Sequence, residues 1–251
     1  MLVPGAVELL APVVAQGDGF TRDPEEARNA CEQLNDTVCL GWAWENIDRW
    51  TTPTLEHLVL VAVSVAAGFA IAFLLAVLSH RRRWLVPAFV GATGVIYTIP
   101  SIALFLILLP ITGRGTVTAL IALTLYTLQI LYRNIVTGLA NVPEAAKDAG
   151  RGMGMTQRQL LWRVELPLAV PEIIAGLRVA TVSTVAIATL AIFAGAGGLG
   201  EVIYTEGVQS GVFKTAIAVG SAIAIAMAIG FDAFYIGAQR LISPWRTVRP
   251  L

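Results

Sequence analysis

Side chains able to do covalent or metal chemistry are few in this sequence, and their spacing builds none of the familiar sites. Two histidines, His57 and His80, and two cysteines, Cys31 and Cys39, cannot furnish a zinc cage of the finger type. The lysines are Lys147, preceded by Ala146, and Lys214, preceded by Phe213, so the Gly-Lys-Ser/Thr of a phosphate-binding loop does not occur and the chain cannot itself be an ATPase. A Gly-x-Ser-x-Gly nucleophile elbow is missing too. Gly195, Gly197 and Gly200 satisfy the dinucleotide fingerprint as a string, but that motif needs a strand before it and an acid about twenty residues on, and position 221 is Ser. The better reading of Gly195, Gly197, Gly198 and Gly200 is a close-packed turn at the outer membrane face, where a pathway could be sealed. The chain is therefore read as no enzyme, with no metal and no cofactor.

The elements that carry these residues are set by hydropathy. Of 251 residues 56% are hydrophobic and 14% charged, with a mean hydropathy of +0.73, whereas a soluble domain carries about 25% charge. Formal charge is zero, so nothing favours nucleic acid. Five charge-free windows, 58–79, 84–113, 115–132, 179–200 and 215–231 (extendable to 239 past Asp232), match the roughly 20 apolar residues that cross a bilayer. The expected fold is an all-α polytopic membrane bundle of about five transmembrane helices, and its many small residues favour close packing.

Arginines and lysines set the orientation. Arg81, Arg82 and Arg83, then Arg133, Lys147, Arg151, Arg158 and Arg163, then Arg240, Arg246 and Arg249 all fall on one side. Opposite them lie Arg114, Lys214 and an N-terminal segment whose ten acids up to Glu56 outweigh three arginines. The N-terminus is expected outside and the C-terminus in the cytoplasm. Trp42, Trp44 and Trp50 precede the first span, as in a helix lying among lipid headgroups. Cys31 and Cys39 would meet oxidising conditions there, although spacing alone does not establish a disulfide.

Two features stand out within this frame. The second window places Tyr97, Pro100 and Ser101 near mid-membrane; Pro100 frees a carbonyl and bends the helix, which is tolerated only where protein or a water-lined cavity satisfies the backbone. Those three residues are candidates for lining a path, with a plain kink as the alternative. The connection at 141–167 reads as a helix opened by an Asn141/Glu144 capping box, a turn through Gly150, Gly152 and Gly154, and a second helix from Thr156 to a stop at Leu166-Pro167. His57 and His80 read as interfacial, and Arg178 and Asp232 as structural charges that snorkel.

The loop resembles the signature of permease subunits of bacterial ABC importers: Glu-Ala-Ala, three residues, Gly, nine residues, Ile-x-Leu-Pro. Here Asp148-Ala149-Gly150 is followed after three residues by Gly154 and after nine more by Val164-Glu165-Leu166-Pro167. Spacing is intact, with Asp148, Gly150 and Val164 departing in identity. Glu144-Ala145-Ala146 lies in the wrong frame. Further stretches are similar to the osmoprotectant branch, which imports glycine betaine, choline and carnitine: Tyr97 to Leu104, Tyr132-Arg133-Asn134, the run from Gly152 to Thr156, and Gly195 to Gly200. Methionine permeases share the loop and part of the glycine run.

The resemblance implies a type I ABC importer permease fold. It covers roughly 56–240 and implies a transmembrane permease domain over 55–240 with the cytoplasmic coupling loop at 141–167; the charges and tryptophans add an expected external tail with an interfacial helix over 1–54 and a cytoplasmic tail over 241–251. Ala145, Asp148, Ala149, Gly150, Gly154, Leu166 and Pro167 would couple to a separate ATP-binding cassette ATPase subunit, which carries the hydrolysis. Implied partners are that ATPase, a second permease subunit, identical or not, an extracytoplasmic substrate-binding protein and membrane lipid. The alternatives are a permease for another small solute such as methionine, or a polytopic membrane protein without transport.

Overall fold

Apolar runs interrupted by Gly, Pro and Arg fold as helices joined by short turns. The computed structural model describes residues 38–209 and 211–243, and its regular elements are all helical. They are α1 (Leu40–Glu45), α2 (Asp48–Arg81), α3 (Leu85–Thr98), α4 (Ser101–Thr112), α5 (Thr116–Ala140), α6 (Glu144–Gly152), α7 (Gln157–Ala194), α8 (Leu199–Glu201, passing into a π-helical stretch at Val202–Gln209) and α9 (Lys214–Ile242). Helices α2, α5, α7 and α9 are each long and apolar enough to cross a membrane. Helices α3 and α4 qualify only together, bent by 96°. At 1.5 Å per residue they reach roughly 21 and 18 Å, each short of a ~30 Å hydrocarbon core.

Polar contacts decide that this bent pair crosses rather than turning back. His80 Nε2, at the end of α2, lies 3.4 Å from Glu165 Oε2 near the start of α7, so α3 begins at that end of the bundle. The Gly115 N–H donates to the Ala194 carbonyl at 2.8 Å, so α4 finishes beside the far end of α7. Gly198 N–H donates to Glu56 Oε2 at 2.9 Å, tying the start of α2 to that far end, and Cys39 N–H, just before α1, donates to Thr215 Oγ1 at 3.1 Å, tying the start of α9 to the segment that leads into α2. The chain thus crosses five times. One end of the bundle gathers Arg81, Arg82, Arg83, Arg133, α6 and Arg240, and the other holds the glycine turn; Arg246 and Arg249 lie outside the described residues.

Helix α5 occupies the centre, with Leu123, Leu131, Tyr132 and Ile135 fully buried between α2, α3 and α7. Lipid gives helices no hydrophobic reason to associate, so backbone approach through small residues does the packing. At Gly68 a Cβ would sit 1.8 Å from Thr127 Oγ1, and at Gly176 one would sit 2.5 Å from Asn134 Cβ. These two glycines set the crossings of α2 and α7 over α5.

The structure corrects several sequence expectations. The helix that carries the first apolar window is longer than the window itself, running from Asp48 to Arg81. Trp42 and Trp50 are buried against Val202, Phe213 and Ala216, with the Trp42 and Phe213 rings edge-on at 4.9 Å; only Trp44, 76% exposed, stands free as an interfacial residue would. Three large apolar groups cover one another here more completely than a headgroup layer could. The helix from Thr156 does not stop at Leu166-Pro167. A π turn at Leu161–Glu165 precedes the proline and widens the helix where Pro167 lacks an N–H and its ring would crowd the preceding turn, so α7 continues to Ala194. Cys39 is disulfide-bonded, and the one other cysteine of the sequence, Cys31, lies with the rest of 1–37 outside the described residues.

Candidate functional site

Three places draw the residues singled out by sequence. At the basic end, α6 starts after Pro143, and no side chain caps it. Asn141 instead ends α5, its N–H bonded to the Thr137 carbonyl. Glu144 acts as a clasp: Arg151 donates to its carboxylate at 2.8 Å and to Asp148 at 2.7 Å, while Lys147 Nζ lies 3.4 Å away. The Arg151 guanidinium, helped by Lys147, holds the Glu144 carboxyl below its ordinary range. Thr156 and Gln159 form the expected capping box at the next helix start.

Helical spacing divides α6 into two faces. Ala145, Asp148, Ala149 and Gly152 form one exposed strip. Gly150 faces the other way and is buried: a Cβ there would lie 2.6 Å from Leu160 Cδ1 and 3.5 Å from both Met155 Sδ and Val164 Cγ2. Gly150 is thus turned from the exposed strip onto α7. Its departure from the family's alanine matches the leucine it touches. Gly154 has φ +75° with open space around it, so its requirement is backbone conformation alone. Leu166 is buried, whereas Pro167 is exposed.

The second place is the break between α3 and α4. Pro100 cannot donate, and the Ile99 carbonyl beside it accepts instead from the Tyr126 hydroxyl on α5. Tyr97, 43% exposed, meets Tyr126 edge-on at 5.8 Å; Pro100 is exposed and Ser101 half-buried. Below them the Thr93 hydroxyl meets Gln129 Oε1, extending a polar strip between α3 and α5. Sequence reasoning singled out neither Tyr126 nor Gln129. A polar group in an otherwise apolar span, level with a proline break on the neighbouring span, was the available signal.

The third place is the glycine turn at the far end. Gly195 (φ +80°) and Gly198 (φ +99°) take left-handed backbone. A Cβ on Gly197 would lie 2.1 Å from Glu56 Oε2, and one on Gly200 would lie 1.9 Å from the Thr189 carbonyl oxygen. With the Gly198 to Glu56 bond, the turn is locked onto the start of α2. His57, read as interfacial from sequence, is instead fully buried, with Nε2 3.1 Å from the Val185 carbonyl; that ring nitrogen carries the proton and donates. Arg178 and Asp232 do not snorkel separately: Arg178 Nε donates to Asp232 Oδ1 at 2.8 Å and a terminal nitrogen donates to Oδ2 at 3.0 Å, joining α7 to α9. Among the described residues no group of three His, Cys, Asp or Glu lies close enough to hold a metal ion.

The arrangement, a surface helix at one end, a broken span between, and a locked turn at the other, has counterparts among known proteins. The family model described as "Binding-protein-dependent transport system inner membrane component" matches residues 65–248. The osmoprotectant import permease protein OsmW of Salmonella typhimurium is 37% identical over 205 residues, 80% of this chain and 94% of that protein. The choline transport system permease proteins OpuBD and OpuBB of Bacillus subtilis are 38% identical over 193 residues (76% of this chain, 81% of that protein) and 33% identical over 192 (76% and 87%). Among solved structures, the inward-facing MetNI methionine ABC transporter superposes with a TM-score of 0.67 at 22% identity, over 82% of this chain and all of that one. An amino acid ABC transporter superposes at 0.68 and 18%, over 81% of this chain and 99% of that one. At these identities the two structures bear on the fold alone.

Proposed function

Because the chain belongs to the family of binding-protein-dependent transport system inner membrane components, we propose that it forms part of the path for a quaternary-amine osmoprotectant of the glycine betaine, choline and carnitine class. The observation that carries this reading is the extent of the likeness to permeases named for osmoprotectants and choline, which runs over three quarters or more of the chain. On this reading the chain does no covalent chemistry, and its partners are ATP-binding cassette subunits, an extracytoplasmic binding protein and a second permease subunit.

Two of these partners, the second permease and the ATPase, have a matching feature on the chain. Broken backbone at membrane depth needs cover, yet Tyr97, Thr98 and Pro100 are exposed on the single chain. A second permease face meeting this break would enclose Tyr97, Pro100 and Ser101 as path lining. The strip of Ala145, Asp148, Ala149 and Gly152 allows close approach into a groove of the ATPase, with Asp148 at the rim. Movement there passes through Gly150 and Leu160 into α7, whose 38 residues end at the glycine turn. One helix therefore links the ATPase side to the gate side.

The lysine and arginine bias assigns the basic end to the cytoplasm and the glycine turn to the outside. Uptake of labelled glycine betaine, choline and carnitine in cells with and without the chain tests the function; uptake independent of the chain for all three refutes it. Orientation is tested separately with a membrane-impermeant maleimide, which should modify Val208→Cys in whole cells and spare Arg82→Cys. The opposite labelling pattern would invert the topology.

A further inference from the structure

The break between α3 and α4 leaves two backbone oxygens unmet. The Ile96 carbonyl takes the Ile99 N–H at 3.2 Å because Pro100 has none to return, the Val95 carbonyl takes the Thr98 hydroxyl at 2.7 Å, and the Ile99 carbonyl takes the Tyr126 hydroxyl. Among the described residues no donor reaches the carbonyls of Tyr97 and Thr98. Ser101 and Ile102, next in helical register, are carried off by the 96° turn into α4, whose own free N–H groups face along that second axis. The two oxygens are the negative end of the α3 dipole, inside a span where lipid offers no donor.

Beside them stands the Tyr97 ring, 43% exposed. Tyr126 meets it edge-on at 5.8 Å and is itself held by its bond to Ile99, so the Tyr97 ring is braced on the protein side and open on the other. No Lys, Arg, Asp or Glu lies between Arg83 and Arg114 or between Arg114 and Arg133. Helices α3 and α4 and the facing stretch of α5 therefore offer partial charges only, a π face and two carbonyl oxygens, all of one sign. Carbonyls alone suit a small inorganic cation, which leaves the ring unexplained. A ring alone suits any apolar group, which leaves the carbonyls unmet. A quaternary ammonium uses both, since its charge is spread over methyl groups that rest on a π face while their polarised C–H bonds point at the oxygens.

We propose that the Tyr97 ring and the carbonyls of Tyr97 and Thr98 hold the trimethylammonium group of the solute at the break. The site rests on the transport reading above and deepens it. Glycine betaine, choline and carnitine share this group, so the site serves the class and does not choose within it.

The test is equilibrium binding of glycine betaine to the permease–ATPase complex in nanodiscs, without the binding protein, followed by saturation transfer to its methyl protons. Half-saturation should rise about fivefold in Tyr97→Leu, the loss of one aromatic face, and stay within about twofold in Tyr97→Phe. Phenylalanines carrying one to four ring fluorines at position 97 keep the shape and drain the negative face, so half-saturation should rise with each fluorine even if Tyr97→Leu fails to fold. The carbon isostere 3,3-dimethylbutanoate, which lacks only the positive charge, should bind at least fivefold more weakly than glycine betaine. Equal binding of that isostere, a half-point indifferent to fluorination, or displacement of glycine betaine by equimolar potassium would each overturn the site. Absent uptake of all three solutes strikes the transport reading on which it rests, whereas normal uptake with the half-point unchanged in Tyr97→Leu strikes this site alone.

Discussion

Replacing Gly150 by alanine puts a methyl group 2.6 Å from Leu160 Cδ1, where carbon atoms in contact need about 3.5–4.0 Å. Roughly 1 Å must be found, and Leu160 is buried to 1% exposure with Met155 and Val164 on either side of the same spot. Overpacking of this kind costs about 1–3 kcal/mol. Alanine recovers up to ~1 kcal/mol of helix propensity over glycine, so a net loss of about 0–2 kcal/mol is expected. Leu160→Val alone removes one methylene from a packed site and should cost about 1 kcal/mol. Combined, the two changes relieve each other, and a double-mutant cycle should give a coupling of about 1–2 kcal/mol. The cycle is measured by denaturant unfolding of the purified chain in micelles, and in parallel as solute imported per ATP hydrolysed by the reconstituted complex. Gly150→Ala should lower that ratio and the second substitution should restore it. Additivity within about 0.5 kcal/mol, or an unchanged ratio in the single variant, would refute the idea that Gly150 seats α6 on α7.

Three further outcomes are expected. Gly154→Val should weaken the loop by about 1–2 kcal/mol through backbone strain at φ +75°, with no steric contact to blame, and Gly154→Asn should be milder; limited proteolysis of the loop compares them. Tyr126→Phe strands the Ile99 carbonyl beside Pro100 and should cost about 1–3 kcal/mol in unfolding measurements, whereas Tyr97→Phe should leave stability unchanged. Because the folded-state pKa of Glu144 is depressed, its clasp contributes above the ordinary carboxylate range and is lost as pH falls through that lowered value; a carboxyl carbon NMR titration should show the depression vanish in Arg151→Gln.

How far sequence reasoning reached depends on the range of each interaction. Five apolar runs and their basic flanks are local in sequence, so the number of crossings followed from counting. The loop frame, the glycine turn and the bend at Pro100 were likewise carried by neighbours within about twenty residues. Contacts between distant helices were not. Arg178 and Asp232 stand 54 residues apart, and neither side chain in isolation says whether it snorkels or pairs. His57 was read as interfacial because it borders an apolar run, whereas the glycine turn, more than a hundred residues later, closes over it. Leu166-Pro167 carries a normal stop signal for a helix, and only the π turn before it turns the stop into a passage.

That π turn also bears on how the protein can change. An α-helix advances about 100° per residue, and a π turn accommodates one extra residue without unwinding the helix on either side. The part of α7 that touches α6 and the part that packs on α5 and α9 therefore have separately adjustable phases. A residue removed between Leu161 and Glu165 would close the turn to ordinary α geometry and rotate Leu160 by about 100° relative to Gly176 and Arg178. The loop could be re-aimed at a differently shaped partner surface while every contact inside the bundle stayed as it is.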